Sequence, residues 1–175
     1  MIENCYFRNV RETAITAYAE PFWGILDGNG HKIIGLRIEA TNETCLGLFS
    51  TLEGTVKNLT LENCEVSAAG MSEKIGILAG ENKGTVENVV ISGSVNAKYF
   101  SCVGGIVGTN QGVLQSSVNN GIVKASSNVG GIVYNNEKTV IGCTNNGTIE
   151  CGSALYDGIC QTNKGTVSNC VDNTK

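Results

Sequence analysis

The sequence is short of most of what enzyme sites and helical cores are built from. Its 175 residues hold one proline (Pro21), one histidine (His31) and one tryptophan, and aromatic residues make up only 6%. One histidine leaves a zinc centre with poor ligands, and no C-x2-C pair supplies thiolates instead. Aspartate is confined to Asp27, Asp157 and Asp172, and arginine to Arg8, Arg11 and Arg37. Positive charge is scarce: a net charge of −4 and a pI near 5.0 exclude the basic stripe of a nucleic-acid-binding protein. No apolar run approaches the ~18–20 residues of a membrane helix, so no membrane span is expected. The N-terminal MIENCYFRNVRE also lacks the apolar stretch of a signal peptide.

What the sequence does hold is a repeat. Glycine is abundant at 23 residues, while 41% apolar content keeps the chain from reading as disordered. Residues 104–121, GGIVGTNQGVLQSSVNNG, contain two short apolar runs, each closed by an Asn/Gly turn, and most of the chain is an imperfect copy of this unit. Aligned on the second run, Ile2, Ile33, Val56, Val86, Leu114, Val140 and Val167 share one column. Asn4, Gly35, Asn58, Asn88, Ser116, Gly142 and Asn169 form a second. Cys5, Leu36, Leu59, Val89, Ser117, Cys143 and Cys170 form a third. The first run gives Ile25, Leu48, Ile77, Ile106, Ile132 and Ile159, each directly behind a glycine. So short a unit cannot bury a core alone and must stack on its neighbours.

From Cys45 onward each copy reads as a Gly-aliphatic strand, a strand such as 55–61 or 85–91, and a third short strand at 94–95, 122–124 or 148–150. Strands in equivalent positions on successive turns pair in parallel, and the connections are too short and glycine-rich for helical crossovers. The pattern predicts an all-β parallel β-helix (a solenoid) of about six rungs, with three short strands per rung. It forms one domain over 1–175, with Leu48, Ile77, Ile106, Ile132 and Ile159 stacked inward. Residues 9–21 break register and read as a cap or irregular segment. The chain starts and stops mid-rung, so a segment of a longer protein is expected, and uncovered rungs invite end-to-end or edge self-association.

Asparagines at equivalent bends have two readings. They bond to their copies above and below, as Asn58 with Asn88, or Asn119-Asn120 with Asn145-Asn146 and Asp172-Asn173; or they simply accept left-handed turns. DGNG at 27–30 suggests calcium, but the places that an EF-hand loop fills with acids are Gly28, Leu26 and Leu36 here, so it reads as a turn. Cys5, Cys143, Cys160 and Cys170 match aliphatic columns and read as core thiols. Cys143 and Cys170 stand in adjacent rungs, unbonded. Cys45, Cys64, Cys102 and Cys151 lie near turns. No cofactor and no metal site is expected.

The variable inserts are SAAGMSEK at 67–74, NAKYFSC at 96–102, ASSN at 125–128 and CGSALYD at 151–157. They leave the coil at one corner and stack into a stripe carrying Met71, Tyr99, Phe100, Tyr156 and Asp157. This stripe is the candidate binding site for a protein or glycan partner; alternatively its aromatics fold back over the corner. No catalytic constellation is visible. Polysaccharide hydrolysis by inversion needs paired carboxylates, whereas the three aspartates fall in different rungs, and Glu62, Glu65 and Glu87 read as solvated charges. A Cys-His nucleophile would depend on His31, which has no candidate cysteine in its rung.

The segments FWGILDGNGHKIIGL, LGLFSTLEGTVKNLTL, GGIVGTNQG and NNGTI resemble the glycine-rich GLUG-type repeats of bacterial cell-surface proteins. These include adhesin-like proteins and the N-terminal regions of IgA-specific metallopeptidases. The resemblance covers residues 22–173. It implies a right-handed parallel β-helix, export, and an extracellular or cell-surface scaffold that mediates interaction or display without catalysis. The alternative from the fold is a carbohydrate-binding or polysaccharide-degrading β-helix protein.

Overall fold

The computed structural model describes residues 5–6, 20–41, 44–70, 72–99 and 102–174. All their regular structure is β, and the strands pair in parallel with their counterparts one turn away. From residue 22 the chain winds through six rungs, the first and last incomplete, making about five turns of a β-solenoid, and Cys5–Tyr6 pairs on the outer side of the first. One five-stranded sheet stacks Cys45–Leu46, Lys74–Ile75, Cys102–Gly104, Val129–Gly130 and Tyr156–Asp157. A second stacks Phe49–Leu52, Ala79–Asn82, Val107–Asn110, Val133–Asn136 and Cys160–Asn163, and a 14-stranded sheet closes the coil.

The corner between the two small sheets explains the Gly-aliphatic pair. Leu48, Ile77, Ile106 and Ile132 are buried and Ile159 is half-buried, all in the single core. The preceding glycine is required by crowding: a Cβ on Gly105 would sit 2.2 Å from the Gly131 carbonyl oxygen and 2.5 Å from Asn119 Nδ2. The large sheet bends where Asn58, Asn88, Ser116, Gly142 and Asn169 take φ of 52°, 51°, 49°, 62° and 54°. These bends divide what reads as three strands per rung into more: the fifth rung carries Val133–Asn136, Thr139–Ile141, Thr144–Asn145 and Thr148–Cys151 after Val129–Gly130.

Val56, Val86, Leu114, Val140 and Val167 share one column, as the repeat spacing predicts. The first rung departs from that alignment. Leu26, not Ile33, lies beside Val56; Ile33 pairs with Leu61 on one side and Cys5 on the other. Ile25 therefore leaves the inward column, pairs with Thr55 and is 74% exposed. Each rung has two similar bends, and the sequence I-x-G at 33–35 belongs to the second: Ile34 pairs with Glu62, setting Gly35 (φ 71°) beside Asn63 (φ 52°). Cys64 directly follows the bend at Asn63, and its thiol is in the core, 1% exposed. Of the expected cap at 9–21, residues 9–19 lie outside the described residues, and so do Met71 and Phe100.

Polar side chains fasten the rungs together. Asn88 Nδ2 donates to Asn58 Oδ1 at 2.9 Å, and Asn58 Nδ2 to Asp27 Oδ1 at 3.0 Å. A second exposed ladder runs Asn173→Asn146→Asn120 at 2.6 and 2.8 Å. Buried Asn119 Nδ2 donates across the core to the Gly131 carbonyl at 2.8 Å and to Asn145 Oδ1 at 3.0 Å. The longest ladder, Asn82→Asn110→Asn136→Asn163, has contacts of 2.7, 2.8 and 2.8 Å.

Candidate functional site

The inserts do emerge at one corner, and the corner is concave. Thr85–Ala97, Ile122–Ala125 and Thr148–Cys151 continue a stack in which Ser67, Asn96, Lys124 and Glu150 occupy one outward column. Next to it runs a column of small residues, Ala40, Ala68, Ala97, Ala125 and Cys151. Strand alternation sets one column outward and the next against the core. Beyond them Ala69, Lys98, Ser126 and Gly152 form the far wall of an open groove of about 700 Å³. Because small residues recur in every rung, the groove runs along the solenoid axis across four rungs.

Its charged lining residues are Lys98, Lys124 and Glu150, a small positive excess. Lys124 Nζ contacts Glu150 Oε2 at 2.7 Å within one wall. On the other wall Lys98 Nζ stands 5.7 Å from the centroid of the Tyr99 ring, a cation–π arrangement. Ser126 Oγ and Ser127 Oγ are buried without a hydrogen-bond partner.

Of the residues singled out in the sequence, Tyr99 is 45% exposed and Tyr156 54% exposed. Asp157 is turned to the backbone instead. Its Oδ1 accepts from the Ile159 and Cys160 amides at 2.8 and 3.0 Å, closing the turn between the small sheets. The wall residues Ser67, Asn96, Lys124 and Glu150 were not singled out. Their signal is alternation within the third strand, read down the stack instead of along the chain.

Other carboxylates are committed elsewhere. Asp27 accepts from Asn58 and the Asn29 amide and faces Lys57, and these hydrogen bonds, Asn58's first, hold its carboxyl below the usual range. Glu62 pairs with Lys32 at 2.6 Å and Glu65 with Arg37 at 3.6 Å, so both bridge rungs instead of being merely solvated. Glu81, 8% exposed, lies between Lys74 at 2.6 Å and Lys83 at 3.4 Å. His31 Nδ1 faces the Gly28 carbonyl at 2.9 Å. Among the described residues no group of three or more His, Cys, Asp or Glu could hold a metal ion, and no helix is long and apolar enough to cross a membrane. Burial raises the thiols: Cys143 to about 12, Cys64 and Cys160 to about 11.

The stacked rungs and laddered columns define the chain as a parallel β-solenoid repeat protein. It is 37% identical over 94 residues to halomucin of Haloquadratum walsbyi, a match covering 53% of this chain and 1% of halomucin. It is 32% identical over 105 residues to a Gly-rich membrane protein of Evansella cellulosilytica, covering 51% of this chain and 12% of that protein. The chain thus spans a small part of the length of these relatives. No family model matches, and no solved structure matches significantly.

Proposed function

We propose that this chain is a non-catalytic repeat scaffold of a surface protein, of the GLUG-type, adhesin-like kind, holding out a lateral stripe for interaction with a partner. The observation that carries this reading is where the polar side chains are engaged. Asn, Asp, Glu and Lys residues on several faces bond to the rung above or below, which commits these side chains to extending a stack. The similarity to segments of halomucin and of a Gly-rich membrane protein supports a surface setting. The test is protease shaving of intact source cells, with an antibody raised against residues 20–174. Loss of the epitope from intact cells is expected; an epitope protected until lysis overturns the surface reading.

A further inference from the structure

Resting on that scaffold reading, we propose that the groove at the insert corner binds one extended, neutral oligosaccharide lying along the solenoid axis. Its direction is the first argument. The groove crosses strands at residues 67–69, 96–98, 124–126 and 150–152, which at ~4.8 Å per rung gives it a length of about 14 Å. A peptide adding itself as a strand would lie parallel to the strands, at an end of the stack, not across them. Backbone donors along the groove are also taken: the Ala69, Lys98 and Gly152 amides donate to Ala40, Ala68 and Ala125 carbonyls at 2.9, 3.3 and 3.0 Å. Recognition here must come from side chains.

Those side chains suit a sugar. One wall offers a hydroxyl, an amide, an ammonium and a carboxylate in successive rungs, from Ser67, Asn96, Lys124 and Glu150. On the far wall the exposed methyl of Ala69 adds an apolar surface. A pyranose ring has an apolar C–H face and a rim of hydroxyls that both donate and accept, so it satisfies both kinds of surface at once. Groove-lining Ser126 has a buried hydroxyl without a hydrogen-bond partner, whereas buried hydroxyls normally have one. Exposed Tyr99, beside Lys98 on the second of the four rungs, supplies a flat face for a sugar ring. The Lys124–Glu150 pair neutralises one wall and leaves Lys98 as a single cation opposite, too little positive charge to select a chain of uronic acids.

The experiment is calorimetric titration of the purified chain with cello-, N-acetylchito- and galacturono-oligosaccharides, with amide shifts mapped by NMR. Neutral oligosaccharides should bind saturably, with affinity rising up to about three sugars, one per rung interval of ~4.8 Å, and then levelling. Shifts should concentrate at 96–98, 124–126 and 150–152. Asn96→Ala and Ser126→Trp should each weaken binding at least tenfold; the melting temperature of Asn96→Ala, at an exposed site, should be unchanged. Absence of saturable binding, preference for the acidic series, competition by an unstructured peptide, or wild-type affinity in Asn96→Ala overturns the proposal. Failure here with surface exposure intact removes the ligand class alone. A chain held inside the cell removes the scaffold reading whatever the groove binds.

Discussion

At Asn110 the buried ladder depends on a single amide. Its Nδ2 reaches Asn136 Oδ1 at 2.8 Å and the Gly112 and Thr139 carbonyls at 3.2 and 3.0 Å, while its Oδ1 accepts from Asn82 at 2.7 Å. Asn110→Ala strands these partners without water, and each orphaned buried group costs ~1–3 kcal/mol. Asn146→Ala, in an exposed ladder, should cost under about 1 kcal/mol because water replaces the lost bonds. Denaturant melts of the two variants compare them directly; equal losses would mean that burial does not set the value of a ladder. The raised thiols make a second prediction. From an ordinary value of 9.0, Cys143 is pushed to about 12 and Cys64 to about 11. The unfolded chain therefore releases these protons first, so the stability contribution is intact below pH 9 and is lost as pH climbs towards 11–12. Melting temperatures across pH 8–11 should fall, and less steeply in Cys64→Ala. These asparagines show what was legible. The Asn58–Asn88 ladder could be read from the repeat, and its two readings prove compatible, since both residues have positive φ and still bond. Asn82, Asn110, Asn136 and Asn163 escaped notice because an asparagine near a turn looks the same whether its amide faces water or core.

Elements here are bends as much as strands, and two glycines show how differently bends constrain them. A Cβ on Gly131 would meet the Gly158 carbonyl oxygen at 2.1 Å and Asn145 Nδ2 at 2.3 Å. Gly131→Ala should therefore prevent native packing, seen as loss of the cooperative thermal transition. Gly142 has open space, its nearest neighbour being Ser116 at 3.9 Å, and a φ of 62°. Asn58, Asn88 and Asn169 hold the same conformation in the same column. Gly142→Asn should accordingly be neutral or stabilise by about 0.5 kcal/mol, since Asn tolerates this region and has less freedom to lose on folding. A large drop in melting temperature would show that the column is not interchangeable. The same bends explain where the sequence misled. I-x-G at 33–35 and V-x-N at 56–58 look equivalent, yet the pairing of Ile33 with Leu61 assigns them to different corners. Local chemistry encodes a left-handed residue, but only pairing with the next rung says which corner it turns.

Across the whole molecule, each rung touches only its neighbours, which makes the stack modular. Residues 107–132 form one full period, because Val107 and Val133 occupy the same position in successive rungs. Their deletion joins Ile106 to Val133 and sets Asn82 beside Asn136 in place of Asn110. The shortened chain should keep the same β spectrum per residue, with a smaller denaturant m-value; an unfolded product would mean that the rungs are not interchangeable. Sequence spacing shows this modularity well, whereas the groove is a property of columns that only stacking creates. The orientation of the ladders also has a mechanical meaning. Every backbone bond between rungs points along the axis, so a pull on the two chain ends loads one outer coil at a time instead of shearing a sheet. From Val56 to Val167 the coils lengthen the chain by 30, 28, 26 and 27 residues, or about 90–100 Å each when drawn straight. Under tension in a force spectrometer the protein should lengthen in small, evenly spaced steps, as a tether that yields gradually and rewinds, not one that snaps.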